Sequence, residues 1–237
     1  MTGDFFLVTC EHGGNRIPAP WQPLFRGRRA LLESHRGYDP GALVMARALA
    51  GAFGAPLVTS TVSRLLVDLN RSIGHPQLFS TAARGAPATE RSSIVERHYR
   101  PYRGEVERLV RQAASRGRRV IHVSSHSFTP ELDGRLRRAD VGLLYDPGRR
   151  AEADLCAGWK TALVALAPEL RVRRNYPYAG KGDGLTSHLR LRFPHGAYVG
   201  VELEVNQRIV FAAGRRWSVL RGMLIDSLRS ACTTGDP

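Results

Sequence analysis

Three strand-like runs in this sequence end in side chains that can bind a metal or move a proton. His12 follows the apolar run 5–10, His126 ends the run 119–125, and Glu202 and Glu204 lie within 197–205. In open α/β sheets, ligands bind outside the carboxyl ends of the strands, so these residues are expected to converge on one crevice. Two imidazoles and a carboxylate are the ingredients of a catalytic zinc site whose remaining position holds water. A further carboxylate beside it would serve as general base. Strand side chains repeat every second residue, so Glu202 and Glu204 share a face and either is a candidate base. There is no HExxH motif and no short ligand pair, so spacing alone does not make the site. The simpler reading of a single histidine is a hydrogen-bonded loop residue, and His35, His75, His98, His122, His188 and His195 are read that way.

The run Ser63-Arg64-Leu65-Leu66-Val67-Asp68-Leu69-Asn70-Arg71-Ser72 is the second informative stretch. Two arginines flank a short apolar segment read as a strand, and an amide precedes the second. Guanidinium forks take carboxylates bidentately, so Arg64, Asn70 and Arg71 form a candidate clamp for an acidic substrate.

Elements to position these residues are legible in the pattern. Residues 5–10, 56–61, 65–68, 119–125, 141–145, 170–174 and 197–205 read as strands. Ala42, Met45, Ala46, Leu49, Ala52 and Phe53 recur at helical spacing, with Asp39 where an N-cap belongs and Pro40 at the first helical position. Further helices are expected over 90–116, interrupted at Pro101, over 151–167, and over 217–230 as an amphipathic closing helix. Residues 73–90 read as a surface loop. Strands alternating with helices at this spacing indicate an α/β sandwich with a largely parallel sheet. No repeat or linker divides the chain, so residues 1–237 are expected to form one domain.

Composition narrows the class. The 237 residues carry 35 Lys+Arg against 21 Asp+Glu, a formal charge of +14, and 43% are hydrophobic, enough for a real core. Only Lys160 and Lys181 are lysines; the other cations are arginines dispersed over many segments, as a GC-rich coding bias would produce. With no groove-reading motif, this argues against a nucleic-acid partner and leaves a basic surface or an anionic substrate. No run reaches the ~18 apolar residues that span a bilayer. Residues 1–10 lack the basic start of a secretory signal. Cys10, Cys156 and Cys232 form no CxxC pair, which argues against a disulfide framework and a cysteine zinc site. The expectation is a cytoplasmic globular protein.

Six segments together carry a resemblance. Thr9-Cys10-Glu11-His12-Gly13-Gly14-Asn15-Arg16-Ile17-Pro18 resembles the opening motif of the N-formylglutamate amidohydrolase family. Gly37-Tyr38-Asp39-Pro40-Gly41-Ala42, Ser63 to Arg71, His126-Ser127-Phe128-Thr129-Pro130, Asn175-Tyr176-Pro177-Tyr178-Ala179-Gly180 and Val201 to Gln207 resemble the motifs that follow it, in order. That family is related in fold to zinc carboxypeptidases and zinc-dependent muramoyl-alanine amidases. The resemblance implies a three-layer α/β/α domain with a mixed, mostly parallel sheet and one catalytic zinc per chain. It implies His12, Asp39 and His126 as metal ligands, with Glu11 the competing oxygen donor. The carboxypeptidases instead take a glutamate three residues after the first histidine, where this chain has Asn15. Glu204 is the implied general base, with Glu202 as alternative, and Arg64, Asn70 and Arg71 the implied substrate clamp. The family's last motif usually carries an arginine where this chain has Asn206. The implied activity is hydrolysis of an acidic N-acyl amino acid, foremost N-formyl-L-glutamate to formate and L-glutamate, in amino-acid metabolism. The alternatives are the same chemistry on another N-acyl amino acid or a peptide or cell-wall amide, and a non-catalytic basic binding protein on this fold.

Overall fold

Strand propensity and period-two alternation build the centre of the structure, a computed structural model that describes residues 3–212 and 214–233. The strands are β1 (Phe5–Cys10), β2 (Leu57–Thr59), β3 (Val120–Phe128), β4 (Glu131–Leu132), β5 (Arg135–Leu136), β6 (Val141–Leu144), β7 (Val172–Arg174) and β8 (Tyr198–Asn206). Six of them form one sheet in the order β2-β1-β3-β8-β6-β7, and β4 and β5 form a separate hairpin. All pairings in the large sheet are parallel except β6 with β8. The sheet is therefore mixed and mostly parallel. β3 and β8 pair along their whole length, from Val120 opposite Tyr198 to Phe128 opposite Asn206.

The helices are α1 (Arg29–Glu33), α2 (Ala42–Phe53), α3 (Thr81–Arg84), α4 (Ala88–Ile94), α5 (Arg100–Ser115), α6 (Arg150–Leu166), α7 (Leu185–Arg192), α8 (Gln207–Val210) and α9 (Arg216–Thr233). Alternation along the central strands divides them into two layers. Val8, Cys10, Val123, Val201, Leu203 and Val205 pack with Met45 and Leu49 of α2, Trp159 and Leu163 of α6, and Leu224 and Leu228 of α9. Leu7, Val120 and Tyr198 face the other way, onto Tyr102, Val106 and Val110 of α5 and Leu185 and Leu189 of α7. Each such aliphatic side chain, fully buried, contributes roughly 1.5–3 kcal/mol. Toward the strand ends this second face turns polar, with Ser124 and His126 on β3 and Glu202 and Glu204 on β8.

Several local expectations are corrected. Asp39 does not cap α2: the N-cap is Gly41, at φ 82°, and it makes no side-chain cap bond. A Cβ at Gly41 would also come within 2.6 Å of Val210, so only glycine fits this left-handed turn. Residues 65–68 are the end of a turn and irregular chain rather than a strand. Their side chains are nonetheless buried, because Leu65, Leu66, Val67 and Leu69 fill the core on the α5 side. The segment 73–90 is not simply a loop, since it holds α3 and the start of α4 and buries Leu78 and Ala83. The break in the 90–116 helix is a π-helical turn at Val95–Tyr99, which runs straight into α5. Pro101 lacks the N–H that would continue the ladder, and the Arg100 N–H reaches back to the Val95 carbonyl. No helix among the described residues is long and apolar enough to cross a membrane.

Candidate metal centre

His12 lies two residues beyond β1, and its carbonyl accepts the Asp39 N–H at 2.9 Å. On β3, Ser125 and Ser127 point to the α2 side, where their hydroxyls donate to the carbonyls of Ala42 at 2.9 Å and Pro40 at 2.7 Å. These bonds hold the turn that carries Asp39 against the strand that carries His126. Asp39 Oδ2 stands 3.3 Å from His12 Nδ1 and 2.9 Å from His126 Nδ1. His12, Asp39 and His126 are all buried, and each offers one ligand atom within 4.8 Å of the others, an arrangement that could hold a metal ion.

The outer nitrogens are anchored. His12 Nε2 meets Asp68 Oδ1 at 2.8 Å, and His126 Nε2 meets Glu11 Oε2 at 3.0 Å and the Ser124 hydroxyl at 2.9 Å. Metal-ligating imidazoles typically have their second nitrogen fixed by a carboxylate in this way, which sets tautomer and ring orientation. The donor set therefore fits a divalent ion held by two Nδ1 atoms and one carboxylate. Glu11 stands behind His126 and away from the cluster, fully buried, accepting from Tyr102 at 2.8 Å and Ser124 at 2.6 Å. Asp68 is saturated too: Arg64 grips its Oδ2 through Nε and Nη2 at 3.1 and 2.7 Å, and the Asn70 N–H donates to its Oδ1 at 2.9 Å. Arg64 Nη1 reaches Asp39 Oδ1 at 3.4 Å.

Electrostatics follow from this packing. Burial pushes the Asp39, Asp68 and Glu11 carboxyls upward, but imidazole contacts, with Arg64 for the two aspartates and Ser124 for Glu11, outweigh it and hold all three well below the usual range. Burial lowers His126, yet Asp39 and Glu11 together raise it well above the ordinary imidazole value. His12 is raised as well, because Asp68 and Asp39 outweigh burial and the Arg64 charge. His122, on the same face of β3, behaves oppositely. It is wholly buried between the Thr9 and Tyr198 hydroxyls, at 2.8 and 2.6 Å, and burial pushes it down to about 4.

Glu204 sits opposite His126 in the β3–β8 register. Its carboxyl is buried, Oε2 has no hydrogen-bond partner, and burial together with the Asp39 and Glu202 charges pushes it up to about 8. A buried carboxyl with an unused oxygen next to a metal-capable cluster is placed to take up a proton. Glu202, one pleat away, is occupied instead by the Thr186 hydroxyl at 2.7 Å. The neighbouring strand makes room at Gly142, where a Cβ would fall 1.9 Å from the Tyr176 carbonyl and 3.3 Å from Glu204 Cβ.

Arg64, Asn70 and Arg71 do not converge as one clamp. Arg64 is spent on Asp68 and Asp39. Asn70 Oδ1 accepts the Leu185 N–H at 2.6 Å, which anchors the start of α7, and Arg71 Nη1 donates to the Asp183 carbonyl at 2.9 Å. Arg71 Nε is buried without a partner. Sequence reasoning did not single out Asp68, Ser124, Tyr102 or Thr186. Asp68 alone left a usable signal, four residues after Arg64 and two before Asn70 within the same run.

The family model described as N-formylglutamate amidohydrolase matches residues 5–211 of the chain. A solved structure, the gene product Atu2144 from Agrobacterium tumefaciens, is 30% identical with a TM-score of 0.83, over 98% of this chain and 91% of that one. An N-formylglutamate amidohydrolase from Ralstonia eutropha JMP134 is 19% identical with a TM-score of 0.69, over 97% of this chain and 94% of that one, a likeness of fold. Among curated proteins, none matches.

Proposed function

Because the chain belongs to the N-formylglutamate amidohydrolase family, and is therefore a hydrolase, we propose that it is a zinc-dependent amidohydrolase of acidic N-acyl amino acids. The substrate proposed first is N-formyl-L-glutamate, cleaved by water to formate and L-glutamate. The observation that carries this reading is the buried His12–Asp39–His126 cluster, with both outer imidazole nitrogens anchored and Glu204 facing it across the β3–β8 pair.

In this reading His12, Asp39 and His126 would hold the ion. Zinc bound there would supply a Lewis acid that lowers the pKa of water toward about 7, polarises the acyl oxygen and favours the ionised form of the adjacent Glu204. Glu204 takes one proton from the attacking water, whose oxygen joins the acyl carbon. Glu204 then hands that proton to the amide nitrogen as the C–N bond breaks, so one residue serves as base and then as acid. Asp68 and Glu11 hold the imidazoles in the tautomer that leaves Nδ1 free. Arg64 keeps Asp68 and Asp39 ionised. Arg71, with its unpartnered Nε, and the Asn70 amide take the substrate α-carboxylate and fix the amide in line, an orientation effect.

We place this activity in one hydrolase-like domain acting in the cytoplasm. The three free cysteines suit a reducing compartment. The test is formate release from N-formyl-L-glutamate by zinc-loaded protein, chelator-treated protein and the Glu204→Gln variant. Turnover in the first alone supports the proposal. A protein that holds one zinc per chain and releases no formate would overturn it.

A further inference from the structure

An acidic N-acyl amino acid brings two carboxylates, and the residues assigned so far meet only one. Arg64 has all three of its donor nitrogens directed at Asp68 and Asp39, and Arg71 is held at Asp183 beside Asn70. A second cation is needed for the side-chain carboxylate. We propose that Arg137, presented by Asn206 and Tyr178, is the specificity-determining residue that recognises this second carboxylate. The inference rests on the proposed hydrolysis of an acidic N-acyl amino acid.

The Arg137 backbone is fixed from both sides. Its N–H donates to the Pro130 carbonyl at 2.8 Å, and its carbonyl accepts Asn206 Nδ2 at 2.9 Å. Asn206 is the second residue past Glu204, so the strand that carries the proposed base also sets the position of Arg137. The same amide binds the Ala139 carbonyl at 2.8 Å, and its oxygen caps α8 at the Arg208 N–H. Asn206 is thus a support and not itself a substrate contact.

Arg137 is half-buried as a residue with its guanidinium at the surface, and no carboxylate among the described residues pairs with it. Its partner is neutral: Nη1 donates to the Tyr178 hydroxyl at 3.0 Å, and the guanidinium carbon lies 5.0 Å from the centre of the Tyr178 ring. A cation held by a phenol keeps its charge available, whereas one held by a carboxylate does not. Tyr178 belongs to the segment 175–184, which borders the site. Tyr176 covers Gly142 next to Glu204, and Gly184 lies against Asn70 and Glu202. Arg137 and Tyr178 stand at the strand ends that carry the cluster: the Arg137 carbonyl is tied to Asn206, which pairs with Phe128 two residues past His126, and Tyr176, two residues before Tyr178, sets its ring edge-on to Phe128 at 6.3 Å. Because the segment 175–184 runs from Gly142 beside Glu204 to Asn70 beside Arg71, a ligand lying along it is offered the Arg137 charge through Tyr178.

The test compares zinc-loaded wild type, Arg137→Ala, Arg137→Lys and Tyr178→Phe on N-formyl-L-glutamate and the isosteric neutral N-formyl-L-glutamine. Loss of a charge-assisted contact predicts that Arg137→Ala lowers the glutamate-to-glutamine ratio of kcat/KM by about 10- to 100-fold, mainly through KM. Arg137→Lys should restore part of the ratio, and Tyr178→Phe should lower it less than the alanine. Zinc content stays at one per chain in all of them. A second readout is calorimetric binding of L-glutamate to zinc-loaded Glu204→Gln protein with and without Arg137→Ala, with the same fold of weakening expected. An equal loss on both substrates, or unchanged L-glutamate binding, would overturn the assignment and leave Arg137 a structural residue. If wild type hydrolyses neither substrate, the proposed activity fails, and the binding comparison alone decides the role of Arg137.

Discussion

Replacing Glu204 with glutamine should stabilise the metal-free protein while removing its proposed turnover, and the size of the gain should depend on pH. The carboxyl is buried, one oxygen has no partner, and its pKa stands at about 8 against an ordinary value of 4.5. A group whose folded pKa is raised binds its proton more tightly in the native state. Its stabilisation is therefore complete below pH 4.5 and is lost as pH rises toward 8, at about 1.4 kcal/mol per pH unit. By pH 7 that loss amounts to about 3 kcal/mol. Glutamine resembles the protonated carboxyl and does not titrate, so the variant escapes it. Urea denaturation in chelator should show wild type and Glu204→Gln nearly equal at pH 4.5 and separated by about 3 kcal/mol at pH 7, the variant being the more stable. With zinc restored, turnover of the variant should fall by about 10²- to 10⁴-fold, the usual contribution of a general base. A stability difference that is flat with pH would refute the buried, unpaired carboxyl. Turnover within about tenfold of wild type would refute its role as base.

The anchoring carboxylates should matter less than the ligands: Asp68→Asn and Glu11→Gln are each expected to weaken zinc binding about 10- to 100-fold in a chelator competition. His12→Ala and His126→Ala should retain no zinc after desalting, as read by metal mass spectrometry. Zinc binding at pH 6.5 should release more than one and up to three protons per ion, measured by calorimetry in buffers of different ionisation enthalpy, because both imidazoles and Glu204 are raised above their ordinary values in the metal-free protein and the ion displaces or weakens each of those protons. His122, lowered to about 4 by burial, must stay neutral in the fold. It contributes stability that is present above pH 6.5 and lost as pH falls toward 4, about 3 kcal/mol in all, and His122→Gln should flatten that part of the acid denaturation profile.

The central strands were legible because their side chains alternate by chemistry. In β8, Val199, Val201, Leu203 and Val205 face one layer, and Glu202 and Glu204 the other. The same period in β3 separates His126 from Ser125 and Ser127. Helices α2, α6 and α9 were legible from their apolar stripes. The apolar run at 65–68 misled, because turn and irregular chain buried on all sides show the same continuous hydrophobicity as a buried strand. Asp39 was read as a possible cap because it precedes a helical pattern, but the left-handed turn at Gly41 starts the helix later and frees the carboxylate for the imidazoles. The antiparallel direction of β6 leaves no local trace, nor do the anchors: Asp68 lies 56 residues from His12, and Tyr102 lies 91 from Glu11. Such contacts exist only once the sheet order is set.

The same contacts explain why this cluster suits a divalent ion. Around the two imidazoles lie three carboxylates held ionised, Glu11, Asp39 and Asp68, and one guanidinium, Arg64. With neutral imidazoles the group would carry two uncompensated negative charges in a buried site, which is costly. Two protons on His12 and His126 remove that deficit in the metal-free protein, which is why both imidazoles are raised. One divalent cation on the freed Nδ1 atoms removes it equally well, so metal and protons compete for one fixed charge requirement. Glu204 falls outside this balance: in the metal-free protein, ionising it adds a negative charge beyond what the two imidazole protons offset, and its carboxyl is accordingly the one that is raised. Ligand and base are thus separated by their surroundings. Asp39 is surrounded by cations and stays ionised, while Glu204, opposite His126 in the register but lacking a hydrogen-bond partner on Oε2, is left able to exchange a proton.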